Sequence, residues 1–137
     1  MFTISYSKTG SNYETSVSNV WRTGWRNLGR PGNKKMIKKV WVYYEGESET
    51  LNVNIKGDDP NVEQNFDIDM SILPDDDLTD RYTGDAHNKI YIWEPPVNSD
   101  TEQSLISELF QFTVTHDGTG DFKVNQIKVL VGDEEIY

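Results

Sequence analysis

Hydrophobic and polar residues alternate along several short segments of the chain, which is the period of a β-strand with one buried face. The alternation is clearest in Thr50–Ile55 and in Gln64–Ile72, where Phe66 begins a series of apolar residues at every second position. The residues predicted to face the core in the first segment are Leu51, Val53 and Ile55. Those predicted to face solvent are Asn52, Asn54 and Lys56. Both segments are therefore predicted to be strands.

Two pairs of segments resemble β-hairpins. Met36–Tyr44 is rich in β-branched and aromatic residues and is followed, after a short polar turn, by Thr50–Ile55. Phe110–Thr115 alternates, passes through a glycine-bearing turn and returns as Phe122–Val131. In this returning segment the apolar residues stand at even-numbered positions up to Val124 and at odd-numbered positions from Ile127. A bulge or turn near residues 125–126 is therefore needed to keep their side chains on one face.

The segments between these pairs carry weaker patterns. Lys89–Trp93 is predicted to be a short strand, ended by two prolines that cannot donate to a sheet. Thr101–Leu109 has a capping residue and two leucines one turn apart, so a short helix is predicted there. Pro74–Asn88 is rich in aspartate without an apolar pattern and is predicted to be a surface loop.

The pattern is least decisive before Met36. Thr3–Tyr6, Ser16–Trp21 and Gly24–Leu28 each fit a short strand, and they fit equally an arm lying on a neighbouring molecule. We predict one domain, made of an N-terminal arm over residues 1–35 and a β-sandwich over residues 36–137. The fold class is all-β: an antiparallel β-sandwich, of which a jelly roll is one arrangement, with at most one short helix.

Composition narrows the function classes. The 137 residues include no cysteine, so disulfides and thiolate chemistry are excluded. No apolar run is long enough for a membrane helix, and the first residues lack the features of an export signal, so we expect a soluble protein without a membrane partner. The net charge of −10 disfavours nucleic acid as a partner.

Charge is divided along the chain. Eight Lys or Arg against one acid give +7 through Tyr44, while five against 22 acids give −17 from Glu45 onward. This division allows the basic part of one molecule to meet the acidic part of another. It is equally compatible with a basic face and an acidic face on one monomer.

Candidate catalytic groups are sparse. His87 and His116 lie in Gly- and Asp-rich segments without the partners of a catalytic triad or a metal pair, so they are predicted to be solvated loop histidines. The aspartates of Asp75–Asp80 offer oxygen ligands for calcium but lack the spacing of a calcium loop, which favours a solvated loop. We predict no catalytic residue, no metal, no cofactor and a non-enzymatic protein, with an enzyme of unrecognised site as the remaining alternative.

Tryptophans are the other candidate binding residues. Trp41 and Trp93 each lie in a strand with apolar residues of both parities. Core packing is predicted for them, and the alternative is that at least one points outward as a binding surface. Trp21 and Trp25 alternate with arginines, which is the composition of interface anchors.

Three stretches taken together resemble β-sandwich modules of tailed-bacteriophage virion proteins, of the tail hub, nozzle and accessory type. They are Trp25–Pro31, Lys34–Gly46 and Leu51–Ile55, and the closing Phe110–Val114 with the Gly-Thr-Gly turn and Phe122–Val129 fits the last hairpin of such modules. The acidic residues 58–88 have no counterpart in the pattern.

The resemblance implies a virion structural protein that assembles with copies of itself or with other virion proteins. On this hypothesis residues 1–35 are the docking segment, with tryptophans as anchors and cations that pair with acids of the next subunit. The predicted interaction residues are Trp21, Arg22, Trp25, Arg26, Arg30, Lys34 and Lys35. The alternative is a carbohydrate-binding module, in which exposed aromatic rings stack on sugars of a glycan.

Overall fold

A computed structural model describes residues 2–11, 19–29, 32–46, 49–74, 81–85, 87–96, 104–117 and 121–133. Within these ranges the chain forms ten β-strands and no α-helix. The strands are β1 (Phe2–Ser11), β2 (Asn19–Arg22), β3 (Lys35–Gly46), β4 (Thr50–Gly57), β5 (Glu63–Asp69), β6 (Tyr82–Gly84), β7 (Lys89–Trp93), β8 (Ile106–Ser107), β9 (Phe110–Asp117) and β10 (Asp121–Asp133). In the described part of the chain, nothing helical has the length and apolarity to cross a membrane.

The strands form two antiparallel sheets. The large sheet has the order β1-β10-β3-β7-β6, with β8 also paired to β3, and the small sheet has the order β2-β9-β4-β5. The predicted all-β sandwich is therefore confirmed. The strand order does not by itself make this sandwich a jelly roll.

A single hydrophobic core lies between the sheets. Phe66 of the small sheet stacks on Trp93 of the large sheet with ring centroids 4.4 Å apart, and His116 of the small sheet stacks on Phe122 at 4.3 Å. The alternation predicted for β4 is confirmed, since Leu51, Val53 and Ile55 are fully buried. Burying every second side chain of each strand removes apolar area from water at both inner faces, which is the main force that holds the sheets together.

Both predicted hairpins are wrong in their pairing, although their strands exist. β3 lies between β10 and β7 in the large sheet, whereas β4 lies between β9 and β5 in the small sheet. β9 and β10 likewise belong to different sheets. Alternation fixes which side chains are buried, but it is identical for two strands lying side by side and for two strands facing each other across a core. In this fold each of the two turns carries the chain from one sheet to the other.

The described part of residues 1–35 contributes a strand to each sheet. β1 pairs with β10 from Phe2↔Val129 to Ser11↔Asp121, and β2 pairs with β9 from Asn19↔His116 to Arg22↔Thr113. Of the two interpretations left open by the sequence, short strands or an arm on a neighbour, the structure has strands at the first two segments. Gly24–Leu28 contributes only an isolated bridge between Arg26 and Phe110. The predicted boundary at residue 35 thus does not separate an arm from the sandwich, because each of the two strands pairs along one side with a strand of its own chain.

Three local predictions have different outcomes. The bulge expected near residues 125–126 is confirmed, since the register of β10 on β3 shifts between Val124 and Gln126. The helix predicted over Thr101–Leu109 is wrong for its described residues: Ile106–Ser107 is the extended β8, and Ile37 N–H donates to Leu105 O at 2.9 Å. The loop predicted over Pro74–Asn88 contains β6, which pairs with β7, and its residues 75–80 and 86 lie outside the described residues.

Candidate functional site

The residues from Asn19 to Arg26 run along the outside of β9 and form one edge of the small sheet. After β2 ends, Thr23 continues the contact, because its N–H donates to Phe112 O at 2.9 Å and its hydroxyl accepts from Phe112 N–H at 3.0 Å. Arg26 and Phe110 then exchange two backbone hydrogen bonds, of 2.8 and 2.9 Å. We call residues 19–26 the β2 edge. No described residue pairs with its other side.

Large side chains are exposed on the β2 edge. Val20 keeps 51% and Trp25 45% of its surface exposed, and Arg22 and Arg26 are also exposed. Trp21 is different, because it is half-buried and packs against the core. An exposed tryptophan next to two arginines is the composition of protein interface anchors. The structure therefore brings together four of the seven predicted interaction residues, with three of them accessible.

The remaining predicted interaction residues are placed differently. Lys35 is fully buried, and its ammonium group donates to Asn27 O at 2.8 Å and to Glu108 O at 2.6 Å. The prediction that Lys35 pairs with an acid of another subunit is therefore wrong. Its place in a series of basic residues favoured a surface role, but the inner parity of β3 directs it inward. Lys34 is exposed and lines a separate cleft, and Arg30 lies outside the described residues.

This cleft has a volume of about 310 Å³ and is lined by Lys34, Asp58, Asp59, Ile106, Ser107 and Glu108. The Ser107 hydroxyl donates a hydrogen bond to the Asp58 carboxylate, and Asp58 N–H donates to Ser107 Oγ at 3.0 Å. The hydrogen bond from Ser107 holds the pKa of Asp58 below its ordinary value. A carboxylate with a lowered pKa is a weak base, so this pair stabilises a loop rather than activating the serine.

The opposite edge of the small sheet is acidic, a feature that the sequence prediction missed. β5 is the last strand of that sheet, and Glu63, Asp67 and Asp69 on it are exposed. Asn52 Nδ2 donates to Asp67 Oδ1 at 2.9 Å, and Asn54 Nδ2 donates to Glu63 Oε1 at 3.0 Å. These acids therefore stand on the outer face of the sheet. We call β5 with these acids the β5 edge.

The outer face of the large sheet carries a second aromatic group. Trp41 and Tyr43 are half-buried there, with Lys39 Nζ 5.4 Å from the Trp41 ring centroid and Lys128 Nζ 5.0 Å from the Tyr43 ring centroid. Trp93 is buried. Core packing, the prediction for these two tryptophans, is thus confirmed for Trp93, whereas Trp41 has the alternative, outward position.

The two histidines occupy different environments. His87 is exposed, as predicted, in a turn where its N–H donates to Asp85 Oδ1 at 2.9 Å. The prediction for His116 is wrong, because it is 1% exposed on β9 and stacks on Phe122. Strand β9 extends through Asp117, beyond the predicted end at Thr115, so His116 has the inner parity of the strand.

Among the described residues no three His, Asp or Glu side chains are close enough together to hold a metal ion. The aspartates considered for calcium, residues 75–80, lie outside the described residues.

Comparisons of the chain with protein-family models, with curated proteins and with solved structures found no match.

Proposed function

We propose that this protein is a non-enzymatic assembly component that binds another protein chain through the β2 edge. The observation that carries the proposal is the exposure of Trp25 between Arg22 and Arg26 on a strand edge. An edge strand presents unpaired backbone N–H and C=O groups to any chain that can extend the sheet. Trp and Arg supply most of the binding energy in many protein interfaces.

The proposal extends to the place of assembly. The resemblance to tailed-bacteriophage virion modules supports a role as a virion structural protein, in the tail or as a head-tail accessory component. A protein that fills a defined place between other subunits needs interaction surfaces rather than a catalytic pocket, and the exposed β2 edge is such a surface. Proteomic detection of the protein in purified phage particles tests this location, and its absence from particles whose host cells contain it would contradict the virion role.

The interface itself is tested with surface variants. Deleting residues 1–35 is a poor test because it removes β1, β2 and the buried Leu28. We instead expect Trp25→Ser with Arg26→Ser to weaken assembly by about tenfold or more while leaving the fold intact, since loss of an interface anchor costs about 2 kcal/mol or more. The matched control is Trp41→Ser with Lys39→Ser on the outer face of the large sheet. Sedimentation velocity measures the complexes, and equal behaviour of both variants would contradict the proposal.

The second candidate function is glycan binding. The observation that favours it is the position of Trp41 and Tyr43 two residues apart on one outer face, because half-exposed neighbouring rings are the surfaces on which sugars stack. A glycan array identifies a ligand, and Trp41→Ala is expected to abolish its binding. An array without binders, or binding unaffected by Trp41→Ala, would contradict this function.

A further inference from the structure

We propose that the partner of the β2 edge is the β5 edge of a second copy of this chain. This inference rests on the proposed function and names the partner of the same surface. The two edges lie at opposite ends of one sheet, so a contact between them would continue the small sheet from one molecule into the next. Such a contact is head-to-tail, and it gives a ring if the rotation closes and a filament if it does not.

Charge complementarity selects this pairing. The β2 edge carries Arg22 and Arg26, while the exposed acids Glu63, Asp67 and Asp69 lie on the β5 edge. Pairing two β5 edges would place acids opposite acids, and pairing two β2 edges would place arginines opposite arginines. Both like-charge arrangements are destabilising, whereas β2 against β5 places opposite charges across the contact. Charged residues on an edge strand also prevent unselective pairing with other strands. Here they would still allow pairing with an edge of opposite charge.

The faces of the two edges also match at Arg22, whereas Arg26, opposite the buried Phe110, has the other parity. Thr113 and Thr115 alternate with the buried Phe112 and Val114, so Val20 and Arg22, their register partners, belong to the outer face. The exposed acids of β5 alternate with the buried Gln64, Phe66 and Ile68 and have the same outer parity. When a sheet continues across two molecules its outer face is continuous, so Arg22 would stand beside the acids. On the inner side, the half-buried Trp21 would come next to the end of the core of the second copy.

No described strand pairs with the outer side of the β5 edge. Met70 N–H donates towards β4, to Glu49 O at 3.1 Å, whereas Asp69 N–H points the other way and donates to the Tyr82 hydroxyl at 3.0 Å. Since successive N–H groups of a strand alternate in direction, Glu63, Asn65 and Asp67 direct theirs away from β4. These three N–H groups therefore point to the side of β5 on which a strand of a second copy would pair.

The test is a charge exchange between edges in the full-length chain. Variant A is Arg22→Glu with Arg26→Glu, which makes both edges acidic, and variant B is Glu63→Lys with Asp67→Lys, which makes both basic. Wild-type protein is expected to form oligomers whose mass falls towards the 15.8 kDa monomer as salt is raised. Each variant alone is expected to stay monomeric at low salt. An equimolar mixture of A and B is expected to form oligomers again, because the acidic β2 edge of A then meets the basic β5 edge of B and the basic β2 edge of B meets the acidic β5 edge of A.

The matched controls are Lys38→Glu with Lys128→Glu and Glu45→Lys with Glu94→Lys, which change the net charge equally at positions on or next to strands of the large sheet, away from the two edges of the small sheet. They are expected to retain oligomers, and thermal melting checks that all variants fold. If variant A loses assembly while variant B retains it, the β2 edge binds something other than β5, and only the present inference fails. If both variants assemble like wild type, the proposed function through the β2 edge fails as well. A wild-type protein that is monomeric at every salt and protein concentration overturns pairing between copies.

Discussion

The ammonium group of Lys35 donates a hydrogen bond to the backbone carbonyl of Glu108, 73 positions later in the chain, at 2.6 Å. A second hydrogen bond from the same group reaches Asn27 O. Lys89 makes a similar pair of bonds, to Gly46 O at 2.6 Å and Met70 O at 2.8 Å. Both lysines are buried, one at the start of β3 and the other paired with Tyr44 near its end. The two ammonium groups therefore tie connecting segments to the opposite ends of the central strand.

Lys35→Ala is expected to lower the free energy of unfolding by about 2–4 kcal/mol, because two partly buried carbonyls lose their charged donor and the packed side-chain stem is removed. Chemical denaturation measures the change. The control is Lys34→Ala, one residue earlier and exposed, for which a change within about 0.5 kcal/mol is expected. Equal effects of the two variants would contradict a stabilising role for the buried ammonium group.

The sequence predicts which side chains of most strands are buried, but it does not predict which strands pair with each other. Alternation placed Leu51, Val53 and Ile55 in the core, and the parity change in β10 located its bulge, because both follow from a period of two within one strand. The choice between a hairpin and a crossing to the other sheet depends on contacts across the core, which no local pattern records. For this reason β3 and β4 were predicted as partners although they lie in opposite sheets.

The candidate site shows the same limit. The mixed aromatic and basic composition around Trp25 predicted an interaction surface, and its exposure on the β2 edge supports that interpretation. The neighbouring lysines were wrongly predicted to join this surface, because Lys35 points inward and Lys34 lines a different cleft. From the sequence alone, the acids of β5 can be recognised only as the solvent-exposed side of a strand. Their position on a sheet edge depends on the order of all four strands.

Gly84→Ala is expected to destabilise the fold by about 1–3 kcal/mol. Gly84 has φ of 95°, a conformation that L-residues with a Cβ rarely adopt, and an added Cβ would collide with Asn88 O. The control is Gly24→Ala, where a Cβ meets nothing within 4 Å. We expect a change within about 0.5 kcal/mol there. Thermal unfolding of both variants measures the difference, and a Gly84→Ala protein as stable as Gly24→Ala would contradict the placement of this turn.

Phe66→Ala is expected to cost about 3–5 kcal/mol of unfolding free energy, because the ring bridges the two sheets by stacking on both Trp93 and Tyr91. Trp93 fluorescence should also change, since its ring loses the contact at 4.4 Å. Asn65→Ala is the matched control on the outer face of the same strand and is expected to stay within about 0.5 kcal/mol of wild type. A small effect of Phe66→Ala would mean that the sheets are not held together at this end by that ring.

The last prediction concerns pH. The hydrogen bond from Ser107 holds the pKa of Asp58 below its ordinary 3.8. A carboxyl group whose folded-state pKa lies below its unfolded value stabilises the fold at pH above the unfolded pKa, and this contribution is lost as pH falls through the folded-state pKa. Ser107→Ala removes the donor, so the Asp58 pKa should rise towards 3.8. The folded and unfolded pKa values of this group then become alike, so the variant should be less stable than wild type at neutral pH, and the part of the stability loss on acidification that Asp58 causes should shrink. NMR titration of the Asp58 carboxyl carbon measures the pKa directly.

The control is Ser71→Ala, which removes a hydroxyl that donates to the remote Asp69 at 2.6 Å and should leave the Asp58 pKa unchanged. An unchanged Asp58 pKa in Ser107→Ala would show that Ser107 is not the group that stabilises the charged carboxylate.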